Sequence, residues 1–272
     1  MPDRYAVFGN PISHSQSPRI HALFAAQTAQ DMSYEAVLAP PDGFAVAVAN
    51  FVAAGGRGAN VTVPFKEEAF RLATQLTSRA QAAGAVNTLT FAGAAINGDN
   101  TDGAGLVRDL KSNLGFDPAG KRILLLGAGG AARGVILPLL QERPAALTIA
   151  NRTEEKAFRL ALEFAGHIKA GCTLPEACGF GQLAGQEFDL VINATSTGLA
   201  DIALPLPPRL FAVRGLAYEM VYGRETPFMK QARAASCRVA DGLGMLVEQA
   251  AEAFQLWRGV RPQTGSVLAT LR

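Results

Sequence analysis

Ile123-Leu124-Leu125-Leu126-Gly127-Ala128-Gly129-Gly130-Ala131-Ala132 is an apolar run that breaks into a glycine-rich turn and then into small residues suited to a helix start. Four consecutive branched apolar residues bounded by a turn signal are the pattern of a strand buried on both faces. The turn fits G-x-G-x-x-A with a strand before it and a helix after it, the context that gives the pattern meaning. Gly127 permits the tight turn, Gly129 lets the backbone approach a pyrophosphate, and Ala132 lets helix and strand pack closely. The helix start offers unpaired N–H groups to phosphates. The stretch therefore predicts a dinucleotide-binding βα unit, with Gly127, Ala128, Gly129, Gly130 and Ala131 at the cofactor. Pro138, inside the helix that follows, reads as a kink.

Outward from this unit, residues 147–150, 190–192, 216–220 and 238–240 read as further short strands. A long amphipathic pattern over residues 245–257 reads as a closing helix. The strand after the fingerprint selects the cofactor. NAD enzymes commonly end it in Asp or Glu, which holds the ribose 2′-hydroxyl. Here it ends Ile149-Ala150-Asn151-Arg152-Thr153, with Lys156 in the next helix. Arg152 suits a planar fork onto a phosphate and Lys156 a point charge beside it. The expected cofactor is NADP(H), held in part by Asn151, Arg152, Thr153 and Lys156.

Upstream, Gly115-Phe116-Asp117-Pro118-Ala119-Gly120 is the clearest punctuation in the chain. Before it lies another alternation of strands and helices: strands at 5–9, 33–39, 59–63, 86–91 and 94–96, and helices from Pro18, over 44–54 and over 106–114. The fold class is α/β, with an N-terminal α/β domain over 1–102, completed by 242–272, and a Rossmann-like domain over 103–241. Gly98-Asp99-Asn100-Thr101-Asp102-Gly103 reads as a polar turn and fails the calcium-loop spacing.

Bulk properties exclude several classes. The 272 residues are 49% hydrophobic with a net charge of +2, which gives no electrostatic case for nucleic acid or an anionic membrane. The N-terminal residues lead into a strand without a signal-peptide core, and no apolar run is long enough to span a bilayer. Cys172, Cys178 and Cys237 lack metal-site spacing and read as reduced thiols, which implies a cytoplasmic protein. His14, His21 and His167 have no carboxylates at ligand spacing, so no metal is expected. The partner expected is a small molecule.

Asn60-Val61-Thr62-Val63-Pro64-Phe65-Lys66-Glu67-Glu68 alternates like a strand and then meets a proline that reads as the first residue of a helix. Lys66 falls in the opening turn, where the helix dipole disfavours a cation. A lysine held there is a candidate for proton transfer. Ser13-His14-Ser15-Gln16-Ser17-Pro18 leads into a helix with Ser17 as its expected N-cap, and hydroxyls with free N–H groups at a helix start suit a carboxylate.

An ordered series of motifs carries a family likeness along nearly the whole chain. It comprises Gly9-Asn10-Pro11-Ile12 with Ser15-x-Ser17-Pro18, the 60–66 stretch, Gly84-Ala85-Val86-Asn87-Thr88, the 98–103 stretch, and the Gly127 fingerprint. Asn151-Arg152-Thr153, Asn193-Ala194-Thr195-Ser196 and the run from Asp241 to Ala250 complete it. The series resembles the shikimate dehydrogenases. That resemblance implies NADPH-dependent reduction of 3-dehydroshikimate to shikimate in chorismate and aromatic amino-acid biosynthesis, with Lys66 and Asp102 as the catalytic pair. It also implies that Ser15 and Ser17 hold the substrate carboxylate, and that Thr62, Asn87, Asp102 and Gln249 bind ring hydroxyls. Tyr222 matches a substrate contact, Met220 and Gly242 lie beside the nicotinamide, and Thr195 is near the cofactor. Lys156 stands where relatives often have arginine. Ser78 stands where they are often acidic, and no role is carried over to it. The alternatives are a broader quinate/shikimate dehydrogenase and a non-catalytic NADP sensor, as a monomer or a homodimer.

Overall fold

The computed structural model describes residues 1–167 and 173–272. In chain order the first segment is β1 (Asp3–Gly9), α1 (Ser17–Thr28), β2 (Met32–Leu38), α2 (Phe44–Ala53), β3 (Gly56–Val61), α3 (Lys66–Leu72), β4 (Gln75–Leu76), α4 (Ser78–Ala83), β5 (Thr88–Ala92), β6 (Ala95–Asp99) and α5 (Asp102–Arg108). The second is β7 (Arg122–Leu126), α6 (Gly130–Gln141), β8 (Ala146–Asn151), α7 (Glu154–Ala165), β9 (Pro175–Gly179), β10 (Phe188–Asn193), α8 (Thr197–Ala200), β11 (Phe211–Glu219), α9 (Pro227–Ala234) and β12 (Arg238–Ala240). α10 (Leu243–Arg258) and α11 (Thr264–Leu271) close the chain. Two compact units result: Met1–Gly105 with Leu246–Arg272, and Leu106–Met245. The chain is thus α/β, and the greater part of α10 belongs to the first unit.

The second unit is built on a sheet in the order β12-β11-β10-β7-β8-β9, with every pair parallel. Counted from β7, the order read from β9 is 3-2-1-4-5-6, the dinucleotide-binding arrangement. Ile123 to Leu126 are fully buried at its centre, as expected for a parallel strand covered on both faces. The register sets Ala150, Leu126, Asn193 and Glu219 in one row. The residues that follow each of them therefore emerge side by side at the carboxyl edge, where such sheets bind ligands.

The first unit has a mixed sheet, β2-β1-β3-β5-β6-β4. β1 lies parallel to β2 and β3, whereas β5 runs antiparallel to β3 and β6. Gly93, at a φ of +60°, turns the β5–β6 hairpin. Asn60 pairs with Thr88 and Thr88 with Asp99, so Thr62, Asn87 and residues 100–102 gather at one edge. α10 docks on this unit through Phe254, fully buried, and Trp257, which stacks on Tyr5 and donates to the Leu89 carbonyl (3.1 Å). Burying each such ring stabilises by about 2–3 kcal/mol. Gly58 makes the approach possible, because a Cβ there would lie 2.5 Å from the indole nitrogen.

Several local expectations are corrected. Ser17 is the first helical residue of α1, and the N-cap is Gln16. The Ser15 hydroxyl accepts the Ser17 N–H instead (3.3 Å). Pro64 lies in a turn closed by the Phe65 N–H onto the Thr62 carbonyl (3.0 Å), so the helix begins at Lys66. Residues 98–103, read as a polar turn, end β6 and open α5, with Asp99, Asn100, Thr101 and Asp102 buried. β4, α4, β9, α8, α9 and α11, all short, were not anticipated. Cys178 and Cys237 are free and buried, and Cys172 lies outside the described residues. Among the described residues no helix is long and apolar enough to cross a membrane.

His21 is fully buried on α1, stacked on Tyr34 (centroids 4.1 Å apart) and flanked by Phe24, Phe254 and Trp257. Neither ring nitrogen meets hydrogen-bond geometry with a described group. Burial pushes its pKa down to about 3, with the neighbouring Asn60 amide pulling weakly the other way. The unfolded chain therefore binds a proton below about pH 6.5 that the folded one refuses. This lowers stability progressively as pH falls from about 6.5 towards 3, by about 2 kcal/mol at pH 5. His21→Phe is expected to flatten the pH dependence of denaturant-induced unfolding between pH 7 and 5. An unchanged slope would contradict the buried neutral ring.

Candidate functional site

Two groups of polar residues form, one in each unit. In the first, Lys66 opens α3 and Asp102 opens α5, and Lys66 Nζ donates to Asp102 Oδ2 at 2.5 Å. The other carboxylate oxygen, Oδ1, accepts from Asn87 Nδ2 (2.8 Å). The same amide nitrogen contacts Thr101 Oγ1 (3.0 Å) and Gln249 Oε1 (3.2 Å). Its carbonyl partner Oδ1 accepts from the Thr101 N–H (2.8 Å) and Thr88 Oγ1 (2.9 Å). Asn87 is 2% exposed, so these polar groups are satisfied by protein rather than by bulk water. Lys66 keeps 22% of its side chain accessible, enough for the ammonium to meet a ligand.

The network extends to α1. Thr88 Oγ1 and the Asn87 carbonyl accept from Asn60 Nδ2 (3.1 and 3.2 Å), and Asn60 Oδ1 accepts from the Tyr34 hydroxyl (2.7 Å). The Ser17 side chain is the other polar neighbour of that hydroxyl, and burial holds the Tyr34 pKa well above its usual value. Ser15 and Ser17 thus stand at the far end of a polar chain leading to Asp102. Thr62 follows β3, and its N–H bonds the Phe8 carbonyl (2.9 Å). Gly9 must lack a side chain there, since a Cβ would lie 2.5 Å from the Thr62 methyl. Asn60, Thr88 and Thr101 were not singled out from sequence. For Asn60 and Thr88 the signal is a polar residue where a strand should present an apolar one, and Thr101 lies between β6 and α5.

The second group lies at the carboxyl edge of the parallel sheet. Gly127 has φ +109°, a conformation L side chains avoid. A Cβ there would also press to 3.1 Å from the Ala194 carbonyl oxygen and 3.2 Å from the Thr195 methyl. The fingerprint turn therefore packs against Ala194 and Thr195, between β7 and β10, where the strand order reverses. Gly129 caps α6 with no side-chain bond, and a Cβ on Gly129 or Gly130 would meet nothing within 4 Å. The first N–H groups of this twelve-residue helix have no partner within the helix, and the open space at Gly129 and Gly130 leaves room for a pyrophosphate.

At the end of β8, Asn151 Nδ2 bonds the Thr153 carbonyl (2.8 Å) and closes a bend that leaves Arg152 exposed. Lys156, also exposed, lies in the first turn of α7. No carboxylate occupies the end of this strand, so the residues present fit a ribose 2′-phosphate better than a free 2′-hydroxyl. Thr195 Oγ1 donates to Asn193 Oδ1 (2.7 Å). The fully buried Glu219 accepts from Asn193 Nδ2 (2.8 Å), Thr226 Oγ1 (2.8 Å) and the Val221 N–H (3.1 Å). Burial raises the Glu219 pKa, and those hydrogen bonds oppose it. Met220 and Gly242 come together, since a Cβ on Gly242 would lie 2.2 Å from the Met220 carbonyl oxygen. Tyr222 lies in the loop beyond β11, also in this unit.

Comparison with known proteins shows the family. Residues 7–89 match the shikimate dehydrogenase substrate binding domain. Residues 110–202 match the shikimate / quinate 5-dehydrogenase family, and residues 242–272 the shikimate 5′-dehydrogenase C-terminal domain. The chain is 64% identical to the NADP(+) shikimate dehydrogenase of Dechloromonas aromatica, over 100% of this chain and 98% of that one. Its backbone superposes on the Thermus thermophilus shikimate 5-dehydrogenase, solved with NADP(H) and shikimate, with a TM-score of 0.87 at 34% identity, covering 98% and 97% of the two chains. An Ael1 enzyme from Pseudomonas putida gives 0.92 at 47% identity, covering 99% and 98%. With relatives this similar over its full length, the chain belongs to the shikimate dehydrogenase family.

Proposed function

We propose that this chain catalyses the reversible NADPH-dependent reduction of 3-dehydroshikimate to shikimate, a CH–OH oxidoreductase step in chorismate and aromatic amino-acid biosynthesis. The observation that carries the chemistry is the Lys66–Asp102 contact at 2.5 Å, placed beside the Asn87 amide and Gln249. Carbonyl reduction requires a hydride, a proton for the developing alkoxide, and fixed orientation of the carbonyl. NADPH, when bound, supplies the hydride. Lys66 Nζ delivers the proton to the alkoxide oxygen, and takes it back in the oxidative direction. Asp102 aims the ammonium through Oδ2, and its Oδ1 is fixed by Asn87.

The substrate assignments rest on the family resemblance, and the hydroxyls at the start of α1 support the carboxylate site. A carboxylate is met by the Ser15 and Ser17 hydroxyls at the start of α1. By the family resemblance, Thr62, Asn87, Asp102 and Gln249 are assigned to the ring hydroxyls. For the cofactor, Gly127 to Ala131 take the pyrophosphate, Asn151 to Thr153 with Lys156 take the 2′-phosphate, Met220 and Gly242 serve the nicotinamide side, and Thr195 lies near the cofactor. The ligands on this reading are small molecules, the location is the cytoplasm, and the protein acts as a monomer or a homodimer.

NADP reduction followed at the nicotinamide absorbance with shikimate as substrate tests the activity directly, and no shikimate-dependent rate in folded protein would refute it. Lys66→Ala is expected to lower kcat by roughly 100- to 10,000-fold while NADPH affinity changes little. Ordinary turnover in that variant would remove Lys66 from the mechanism. Arg152→Ala is expected to weaken NADPH by about 1.5–3 kcal/mol, the range for hydrogen bonds to a charged group, and to leave NADH nearly unaffected. Equal losses for the two cofactors, measured by titration, would exclude the 2′-phosphate role.

A further inference from the structure

Taking the activity proposed above as given, we propose that Arg79 is a positioning residue, holding the Asp102 segment and the Gln249 helix at the spacing the substrate site needs. Arg79 touches neither residue. Its guanidinium forks onto Asp99, with Nε to Oδ1 at 2.6 Å and Nη2 to Oδ2 at 2.7 Å, and its remaining nitrogen Nη1 reaches Glu252 Oε1 at 3.1 Å. Asp99 ends β6 and Glu252 lies on α10. One planar cation therefore spans the two backbone segments whose side chains, Asp102 and Gln249, both accept from Asn87 Nδ2.

The connection to Asp102 is short. Asp99 Oδ1 accepts the Asn100 N–H (2.7 Å), and Asn100 Oδ1 accepts the Asp102 N–H (3.2 Å). Thr77, which caps α4, donates to the same Asp99 oxygen (2.6 Å). Burial pushes the Asp99 pKa up, but the Arg79 fork with the Thr77 and Asn100 donors brings it below the usual carboxylate range, so the fork stays charged at neutral pH.

On the helix side the chain of charges continues. Arg261 joins Glu252 (2.7 Å) and Glu248 (2.9 Å), two residues four apart that share one face of α10. Gln249 adjoins Glu248. Two carboxylates on one face, held by two arginines, resist both sliding and rotation of the helix. Exposed ion pairs add little stability singly. The information here is geometric, because a bidentate fork fixes distance and plane together. The Arg79 side chain is 25% exposed and that of Asp99 9%.

Steady-state kinetics with shikimate and NADP on wild type, Arg79→Lys, Arg79→Gln and Glu252→Gln provide the test. Arg79→Gln is expected to lower kcat/KM for shikimate about 10- to 100-fold, the range for a misplaced site, with KM for NADP within about twofold of wild type. Arg79→Lys keeps the charge but loses the fork, and is expected to fall between the two. Glu252→Gln frees only the helix side and is expected to raise KM for shikimate more than it lowers kcat. Shikimate kcat/KM within about twofold of wild type in the folded Arg79 variants overturns the role. So does a parallel rise in both KM values, which general loosening would give. If Arg79→Gln does not fold, Arg79→Lys and Glu252→Gln decide by the same criteria. A wild type inactive with shikimate overturns the activity and this role together, whereas an active wild type with unaffected variants overturns the role alone.

Discussion

A primary amide offers two N–H donors and one carbonyl acceptor, and at Asn87 all of them face inward. The nitrogen meets Asp102, Thr101 and Gln249, and the oxygen meets the Thr101 N–H and the Thr88 hydroxyl. Each partner arrives on a different element, namely the end of β6, the start of α5, β5 and α10. A buried amide with any of these groups unpaired would cost roughly 1–3 kcal/mol. The requirement to satisfy Asn87 therefore constrains the start of α5, where Asp102 meets Lys66, together with the end of β6.

α10 adds Gln249 as a further acceptor beside Asp102 and Thr101, the two nearer partners of the Asn87 nitrogen, and brings an apolar cover to the first unit. Without Gln249 one acceptor of the Asn87 cluster is lost, and without Trp257 and Phe254 the sheet face carrying Tyr5 and Leu89 lacks its apolar cover. Apolar burial supplies most of the free energy, while the polar contacts specify the register in which it is gained. His21 shows the reverse balance. Its ring packs as an aromatic, and burial keeps it neutral at the expense of two unsatisfied nitrogens.

Legibility in the sequence followed the range of the interactions. The dinucleotide half was plain, because its signal is local: an apolar strand, a glycine that must take φ +109°, and a strand end at Asn151-Arg152 without a carboxylate. Ser17 and Pro64 misled by local rules, since a neighbouring hydroxyl and a turn took over the roles those rules assign. Residues 98–103 misled for a deeper reason. Asp, Asn and Thr in sequence look solvated, and partners 14 to 148 residues away make their burial tolerable. Such pairings leave no periodicity to read. Arg79 and Glu252, 173 positions apart, were invisible on the same ground.

Lys66 and Asp102 bring the local and the distant together. Each opens a helix, and the positive end of a helix dipole favours a carboxylate and disfavours an ammonium. Asp102 is thus at home at the start of α5, while Lys66 is out of place at the start of α3. Their contact reconciles the two, as Asp102 offsets with its own charge the field that Lys66 meets. Removing the carboxylate would then leave the ammonium facing the end of α3 without its compensating charge. The lysine that looks anomalous in its own helix is ordinary once the second helix is counted. The residues tying that second helix down, Asn87 directly and Arg79 through Asp99 and Asn100, belong to the same electrostatic unit as the pair itself.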